Sequence, residues 1–260
     1  MRILLPLLLL ACSVEAATVY TTVPPNPVTS GLVGYWALNT NAGNLLMDTS
    51  GNGNTGYTTN SPVWTNGVIG PYNASALSFN GTTQNAGASN SFGFLQTTPF
   101  SMSLWLQTTT TSIIAWSTWN VNVTAGWRLL VINGAMQFDL LDAPGAFGRG
   151  IRTTTTVTNG QWHHCVMTFS GNSSASGMAF FIDGVSASAS ELYNTDPGTL
   201  SGTSLTFASQ LVSGAINSPW NGLLDDFRLY NRALSAAEVT QLYNFRNHAF
   251  NTNGTTQFRP

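Results

Sequence analysis

The amino-acid sequence predicts an all-β fold, a two-sheet antiparallel β-sandwich (jelly roll) with one short C-terminal helix. Three observations lead to this prediction. Short apolar runs recur between residues 31 and 230, and clusters of Gly, Asn, Ser and Thr separate them. Apolar and polar residues alternate within several runs, which is the pattern of strands with one buried face. A helical pattern occurs once, near the C-terminus, so the sheets must pack mainly on each other.

The individual strands follow from the apolar runs and the turn residues between them. No break in composition divides the runs, so they form a single domain at 31–246, which is long enough to enclose one large core. Threonine runs at 108–111 and 153–156 are assigned to turns or strand edges. The clearest predicted strands are 32–38, 76–80, 101–107, 112–117, 127–132, 136–141, 162–169, 178–183, 204–208 and 223–230.

One predicted strand shows the alternation clearly. Met102, Leu104 and Leu106 point to one side of the sheet, while Ser103 and Trp105 point to the other. An aromatic side chain on the second side predicts that this sheet face is either covered or used as a binding surface.

The end of the domain combines the last predicted strand with a helix at 235–245. Ser235 and Glu238 fit a capping box at the start of this helix. Two adjacent carboxylates, Asp225 and Asp226, interrupt the apolar strand. A buried carboxylate requires a partner such as a cation or several N–H donors, so this pair marks a possible metal site.

This C-terminal segment resembles the closing strand and helix of the laminin-G-like, concanavalin A-like lectin/glucanase jelly-roll modules. Three further stretches resemble that family in the expected order, and together they extend over residues 31–246. The resemblance implies a jelly-roll fold and a lectin, adhesion, spacer or glycosidase role. The matching stretches are GLVGYW with DTSGNGN (31–36, 48–54), ALSFNG with FSMSLWL (76–81, 100–106), and QWHHCV with FFIDG (161–166, 180–184).

A calcium site is the main prediction about ligands. Asp48 begins a glycine-punctuated loop, DTSGNGNTG, and such a loop can direct several oxygens toward one hard cation. The family resemblance implies that Asp48 and Asp225 are side-chain ligands of one structural Ca²⁺, with oxygens added by Asn52 and Asn54. Asp226 replaces Asp225 if a bulge shifts the register. The competing interpretation of the loop is an Asx turn capped by Asp48.

The sequence predicts no catalytic site. Glycoside hydrolysis requires two carboxylates on either side of one bond. Apart from Glu191 and the capping Glu238, the chain after the leader has no glutamate, and Asp139 and Asp142 are predicted to face opposite sides of a strand.

The histidines and the cysteine of the domain are predicted to be structural. His163 and His164 are adjacent strand residues, and no Gly-x-Ser-x-Gly elbow or second ligand at metal spacing accompanies them. Cys165 follows them in the same strand, so it is predicted to be a small buried hydrophobe rather than a reactive thiol.

The remaining function is binding. Charged residues make up 7% of the chain and lysine is absent, which argues against a nucleic-acid surface. Aromatic rings together with neutral hydroxyl and amide groups suit a glycan, and an extracellular or cell-surface protein is the other predicted partner. No single sugar-binding residue is identified; the rings near predicted loops are Trp64, Trp116, Trp119 and Trp220.

The N-terminus predicts export. Residues 1–16 resemble a signal peptide whose apolar run is too short to cross a membrane, so the protein is expected to be secreted. An alternative is a lipid anchor, because Cys12 ends a stretch that resembles a lipobox. A Thr- and Pro-rich linker is predicted at 17–30, and a loose polar tail at 247–260. Asn-x-Ser/Thr sequons, which accept glycans only in a eukaryote, start at Asn73, Asn80, Asn122, Asn172 and Asn253.

Overall fold

The structure is a computed structural model of the chain. It describes residues 27–68, 75–88, 92, 94, 97–120, 123–141, 147–195, 204–212, 215–245, 248–250 and 256–258. The predicted signal peptide, Cys12 and the linker up to residue 26 lie outside these residues, as do Asn73, Asn122, Asn253 and Asp142.

The described residues form many short strands, one α-helix and one turn of 3-10 helix. Helix α1 spans Ala236–Phe245, and the 3-10 turn spans Ala175–Gly177. The strands are β1 (Leu32–Trp36), β2 (Leu45–Leu46), β3 (Gly56–Thr59), β4 (Val63–Asn66), β5 (Ser75–Asn80), β6 (Asn85–Ala88), β7 (Phe100–Gln107), β8 (Ser112–Asn120), β9 (Val123–Ile132), β10 (Ala135–Leu141), β11 (Phe147–Thr156), β12 (Trp162–Phe169), β13 (Met178–Ile182), β14 (Val185–Ala187), β15 (Ala189–Asn194), β16 (Ser204–Phe207), β17 (Gln210–Val212), β18 (Ala215–Asn217), β19 (Asn221–Tyr230), β20 (His248–Phe250) and β21 (Thr256–Phe258).

Most of these strands belong to two antiparallel sheets, which confirms the predicted sandwich. The eight-stranded sheet has the order β14-β13-β12-β7-β19-β5-β4, and β1 pairs with β19 beside this path. The nine-stranded sheet has the order β15-β11-β10-β9-β8-β16-β6-β3-β2. The pairs β17–β18 and β20–β21 form two small hairpins.

The main core lies between the two sheets. Met102, Leu104 and Leu106 of β7 all belong to it, so the predicted alternation along this strand is confirmed. From the same strand the ring of Phe100 meets Phe138 of the nine-stranded sheet edge to face, with the ring centroids 5.8 Å apart. Contacts of this kind join the two sheets into one apolar interior.

The outer face of the eight-stranded sheet is covered rather than open. Helix α1 places Val239 and Leu242 in a second apolar cluster with Phe181 of β13. The ring of Trp105 is fully buried on this face and stacks on Tyr243 of the helix at 5.7 Å between centroids. The aromatic residues of this face are therefore packing residues.

No helix among the described residues is long and apolar enough to cross a membrane.

Part of the predicted linker packs on the same face. Val28 is buried in the second cluster, and its carbonyl accepts a hydrogen bond from the Tyr230 hydroxyl at 3.2 Å. Arg232 also donates to the Ser30 carbonyl at 2.8 Å. The end of the segment predicted as a linker is thus part of the folded domain, because apolar and hydrogen-bonding partners hold it there.

Strand β19 carries a bulge at the acidic pair. It pairs Asp225 with Trp105 and Arg228 with Ser103, so β19 has one more residue than β7 across this interval. The extra residue is Asp226, which has a φ of 55°. Aspartate adopts this left-handed region more readily than most residues. The bulge that the sequence raised as an alternative is present.

A buried ion pair stabilises the bulge. Arg228 donates to the Asp226 carboxylate, and its guanidinium carbon lies 4.3 Å from the centroid of the Tyr35 ring. Burial raises the pKa of Asp226, and the positive charge of Arg228 opposes this shift. The carboxylate predicted as an alternative metal ligand therefore has a cation supplied by the protein itself.

Two regions differ from the prediction. The threonines at 153–156 belong to β11, an interior strand that pairs with β10 and β15 and was not among the predicted strands. In the tail, β20 and β21 pair as a short hairpin where a loose segment was expected. Thr and other polar residues can form strands when a neighbouring strand supplies their hydrogen bonds, so composition underestimates such elements.

The predicted capping box at α1 is confirmed. The Ser235 N–H donates to Glu238 Oε2 at 2.9 Å, and the Glu238 N–H donates to Ser235 Oγ at 3.3 Å. Arg232 also donates to Glu238 Oε1 at 2.5 Å. The hydrogen bond from Arg232 is the main cause that lowers the pKa of Glu238 from its ordinary value of 4.5 to about 2.

This shift predicts a pH dependence of stability. The folded-state pKa lies below the unfolded one, so the contribution of Glu238 is complete above about pH 4.5 and is lost as the pH falls toward 2. Urea unfolding at about pH 6 and about pH 3 should show a smaller loss of stability for Glu238→Gln than for the wild type. An equal loss of unfolding free energy in both proteins contradicts the assignment of this pH dependence to Glu238.

Candidate functional site

The loop after Asp48 is organised by that carboxylate. Oδ1 accepts the N–H groups of Tyr35 at 2.9 Å and Ser50 at 2.8 Å. Oδ2 accepts the Ser50 hydroxyl at 2.8 Å and the Asn54 N–H at 2.7 Å. Partial burial raises the pKa of Asp48, but the hydrogen bonds from Ser50, Tyr35 and Asn54 outweigh it, so the pKa is lowered. These contacts fit the Asx-turn interpretation of the loop.

The two asparagines of the loop bind the backbone of β1. Asn52 Nδ2 donates to the Leu32 carbonyl at 3.0 Å, and Asn54 Nδ2 donates to the Val33 carbonyl at 2.5 Å. The Asn54 carbonyl accepts the indole N–H of Trp36 at 2.9 Å. Asp48, Asn52 and Asn54 are thus held together as one unit against the first strand.

Asp225 lies on the other side of that strand. Trp36 of β1 bridges to Asp48 along one edge and pairs with Phe227 of β19 along the other. Asp225 Oδ2 accepts the Val68 N–H at 2.9 Å, a contact outside the loop. Among the described residues, no group of three or more His, Cys, Asp or Glu side chains could hold a metal ion.

The structure therefore brings together three of the four predicted calcium ligands on one side of β1, and the fourth belongs to the strand that pairs with the other side. A cation at the loop would have to displace hydrogen-bond donors from Asp48, so these contacts fit a metal less directly than a hydrogen-bonded turn. Calcium binding stays a prediction.

The tryptophans considered for sugar stacking have different environments. Trp220 is fully buried in the core, so it packs there and is not available to a ligand. Trp64 on β4 is partly buried, and its indole N–H donates to the Gly43 carbonyl at 3.0 Å. Trp116 and Trp119 lie within β8.

The histidines and Cys165 are structural in their contacts. His164 is buried under the helix, with Nε2 2.9 Å from Ser103 Oγ. His163 lies 2.8 Å from Asp183 through Nδ1. Cys165 is buried in the core, and burial raises the pKa of its thiol, in agreement with its prediction as a buried hydrophobe.

A polar network that sequence reasoning missed lies on the outer face of the nine-stranded sheet. Its centre is Asp139 of β10, whose carboxylate is fully buried. Arg128 of β9 donates to Oδ2 at 2.6 Å, and Gln137 Nε2 donates to both carboxylate oxygens at 2.9 and 3.0 Å. Gln137 in turn accepts from Arg152 of β11 at 2.8 Å, and Tyr193 of β15 donates its hydroxyl to Asp139.

Glycine at position 150 makes the Tyr193 contact possible. Gly150 pairs with both Asp139 and Tyr193, so it lies between them on β11. A Cβ on Gly150 would lie 2.5 Å from Tyr193 Cε2, so the ring lies directly over this residue. Burial and the hydrogen bond to Asp139 raise the pKa of the Tyr193 hydroxyl. The hydroxyl is therefore protonated at neutral pH and donates a hydrogen bond.

Three residues of the network, Arg128, Asp139 and Tyr193, belong to a row of directly paired residues that crosses the whole sheet. Directly opposite residues in antiparallel strands share one sheet face, and strands lie about 4.8 Å apart, so the row is roughly 40 Å long. From β2 to β15 the row consists of Leu45, Tyr57, Gly87, Thr206, Trp116, Arg128, Asp139, Gly150 and Tyr193.

One signal in the sequence could have indicated this site. Gln137 and Asp139 alternate with core residues along β10, so both belong to the face away from the core. Charged residues in the two flanking strands, Arg128 and Arg152, offered partners for the carboxylate. Whether these side chains contact each other depends on strand order and register, which local sequence patterns do not encode.

The packing of Tyr193 over Gly150 can be tested by a double-mutant cycle. Gly150→Ala is expected to lower the free energy of unfolding by about 1–3 kcal/mol, because the new methyl group displaces the ring. In a Tyr193→Ala background the same change should cost much less. Urea unfolding of the four proteins measures the coupling, and equal costs in both backgrounds contradict the predicted contact.

Comparison with known proteins places the chain in a family. A search of curated protein sequences gave no match. Among solved structures, the chain is similar to the binding domain of Paraclostridial Mosquitocidal Protein 1, with 16% identity, a TM-score of 0.63, and coverage of 83% of this chain and 52% of that one. It is also similar to the botulinum neurotoxin serotype G binding domain, with 16% identity, a TM-score of 0.61, and coverage of 82% and 50%.

These likenesses concern the fold alone, and the chain spans about half the length of those binding domains. The family model described as Concanavalin A-like lectin/glucanases superfamily, Laminin_G_3, matches residues 80–240, a range that contains the whole Asp139 network. The resemblance seen in the sequence motifs is thereby confirmed, and the chain belongs to the laminin-G-like branch of the concanavalin A-like lectin/glucanase superfamily.

Proposed function

We propose that this chain is a secreted, non-catalytic module that binds a glycan, or a glycan-bearing surface protein, on the outer face of the nine-stranded sheet. The observation that carries the proposal is the buried Asp139 carboxylate, which holds Arg128, Gln137 and Tyr193 in fixed positions on that face. The similar solved structures are described as binding domains, which supports a binding role by analogy only.

The chemistry of this face suits sugar hydroxyls. Arg128, Arg152 and Tyr193 are each partly exposed, while their inward atoms are fixed by Gln137 and Asp139. Donors that are fixed before binding lose little conformational entropy when a ligand arrives. The aromatic ring of Tyr193 adds an apolar surface of the kind on which sugar rings pack.

The same network argues against hydrolysis. Asp139 is hydrogen-bonded to three side chains, and no second carboxylate from the described residues contacts it. A retaining or inverting glycosidase needs two carboxyl groups placed on either side of the bond. The contacts of Asp139 therefore suit a positioning role, in which it orients the groups that meet a ligand.

One observation favours protein adhesion as a second function. Leu45 and Tyr57 are cross-strand neighbours at the β2 edge, and both are exposed, as is Met47 beside them. Exposed apolar side chains grouped at a sheet edge are typical of protein contact surfaces. A structural or adhesion domain without glycan affinity would use this edge.

A glycan array, followed by calorimetric titration of the best ligand, tests the proposal. Tyr193→Phe and Asp139→Asn should each weaken binding at least about tenfold, because the donors of the face lose their orientation. Asp183→Asn, on the other sheet, is the matched control and should bind like the wild type. Asp139→Asn leaves Arg128 without its carboxylate, so folding is checked by circular dichroism, and Tyr193→Phe provides an independent test. A folded Tyr193→Phe variant that binds normally contradicts the proposed site.

Calcium stabilisation is a separate part of the proposal, supported by the family resemblance of the loop. Asp48→Ala is expected to lower the melting temperature in EDTA, because four donors lose their acceptor. If the loop binds calcium, adding Ca²⁺ raises the melting temperature of the wild type but not of Asp48→Ala. Asp225→Ala distinguishes a shared site from a loop-only site. A wild-type melting temperature that is the same in Ca²⁺ and EDTA overturns calcium binding.

A further inference from the structure

We infer that the ligand of this face carries a negatively charged group, a carboxylate or a sulfate ester, and that Arg152 binds it. The inference rests on the proposed function, because it concerns the chemistry of the ligand at the same face. Arg152 pairs with Gln137 of β10 on one side and with Ser190 of β15 on the other. Its neighbour Ile151 belongs to the core, so Arg152 lies on the outer face, where it is partly exposed.

The side chain of Arg152 has a neutral partner where other arginines have a carboxylate. Its Nε donates to Gln137 Oε1 at 2.8 Å. In the described part of the chain, Arg128, Arg228 and Arg232 form ion pairs with acidic side chains, whereas none is found for Arg152. The positive charge of Arg152 is therefore not neutralised by a described carboxylate.

The orientation of Gln137 is set by the network. Its amide nitrogen donates to both oxygens of Asp139, so its amide oxygen must face Arg152. This oxygen accepts a hydrogen bond from the Nε–H group of Arg152. The two terminal amino groups of the guanidinium therefore remain for another acceptor. Two parallel N–H groups match the two oxygens of a carboxylate or a sulfate.

The local charge also favours an anion. Asp139 is paired with Arg128, so the two arginines of the network face a single carboxylate and leave an excess of one positive charge. The whole chain has a formal net charge of −2, so general attraction of polyanions is not expected. A preference for anionic ligands must then come from this face.

The position of Arg152 relative to Tyr193 suits one sugar unit. Tyr193 lies over Gly150, which is two residues before Arg152 on β11. Two residues along a strand span about 7 Å. A sugar ring that packs on Tyr193 can therefore place a substituent at the guanidinium of Arg152. The matching chemistry is that of a uronic acid or a sulfated sugar.

The test uses polymers that differ only in charge. Polygalacturonate is compared with its carboxyl-reduced form, and dextran sulfate with dextran, by titration calorimetry with the full chain at low and high salt. The protein is expected to bind at least one anionic polymer about tenfold more tightly than its neutral counterpart, and less so at high salt. The two pairs distinguish a carboxylate from a sulfate as the recognised group.

Three variants localise the effect. Arg152→Gln should remove the preference for the anionic polymer, while Arg152→Lys should retain part of it because the charge remains without the planar fork. Arg232→Gln, at the helix cap on the other sheet, removes one positive charge elsewhere and should leave the preference unchanged.

The outcomes separate this inference from the proposed function. Equal binding of neutral and charged polymers, weakened by Tyr193→Phe, overturns the anionic ligand and leaves the proposed function in place. An anionic preference that survives Arg152→Gln overturns the assignment to Arg152. Lack of binding to all four polymers and to the glycan array, with the protein folded, overturns both.

Discussion

The extra residue at Asp226 is the constraint on which the rest of the structure depends. Strand β19 pairs with β1, β5 and β7. The alternation of its side chains between the two faces therefore fixes which residues of these strands lie opposite each other at the centre of the eight-stranded sheet. The bulge keeps Phe227 and Leu229 in the core and directs Arg228 and Tyr230 to the outer face. Without it, every side chain on one side of this point would change faces, and a guanidinium would enter the core. The left-handed backbone at Asp226 carries a local cost, which the buried contact with Arg228 offsets.

The outer faces of the two sheets have different roles as a consequence. On the eight-stranded sheet, Tyr230 and Trp105 provide an apolar and aromatic surface on which helix α1 and Val28 pack. The capping box sets where that helix begins, and so where its apolar residues meet the sheet. On the nine-stranded sheet, the outer face carries the polar network beside a small apolar cluster of Ile113, Leu130 and Leu141, and Arg128 and Tyr193 remain partly exposed there. One face thus serves stability, and the other has side chains that can meet a ligand.

The two polar sites differ in how their hydrogen-bonding capacity is used. In the Asp48 loop, both carboxylate oxygens accept donors from the loop and β1, so the site mainly holds its own backbone in place. In the Asp139 network, the carboxylate is also satisfied, but its partners are long side chains from neighbouring strands. Arg152 at its margin retains donors directed away from the network. A site with a rigid interior and unused donors at its surface is suited to recognition, and this distinction supports the proposed binding at the sheet.

The sequence by itself determined the fold class, the approximate position of the strands in the core, and the capping box of α1. These features depend on local period and turn chemistry, which a single sequence displays directly. It also offered an Asx turn capped by Asp48 as the competing interpretation of the predicted calcium loop, because an Asx turn involves only near neighbours. Only the tertiary structure decided that Asp225 lies across β1 from this loop, and that Arg128, Asp139 and Tyr193 meet on one face. Strand order and register set those meetings, and a shift of one residue moves a side chain to the opposite face, so no local pattern could specify them.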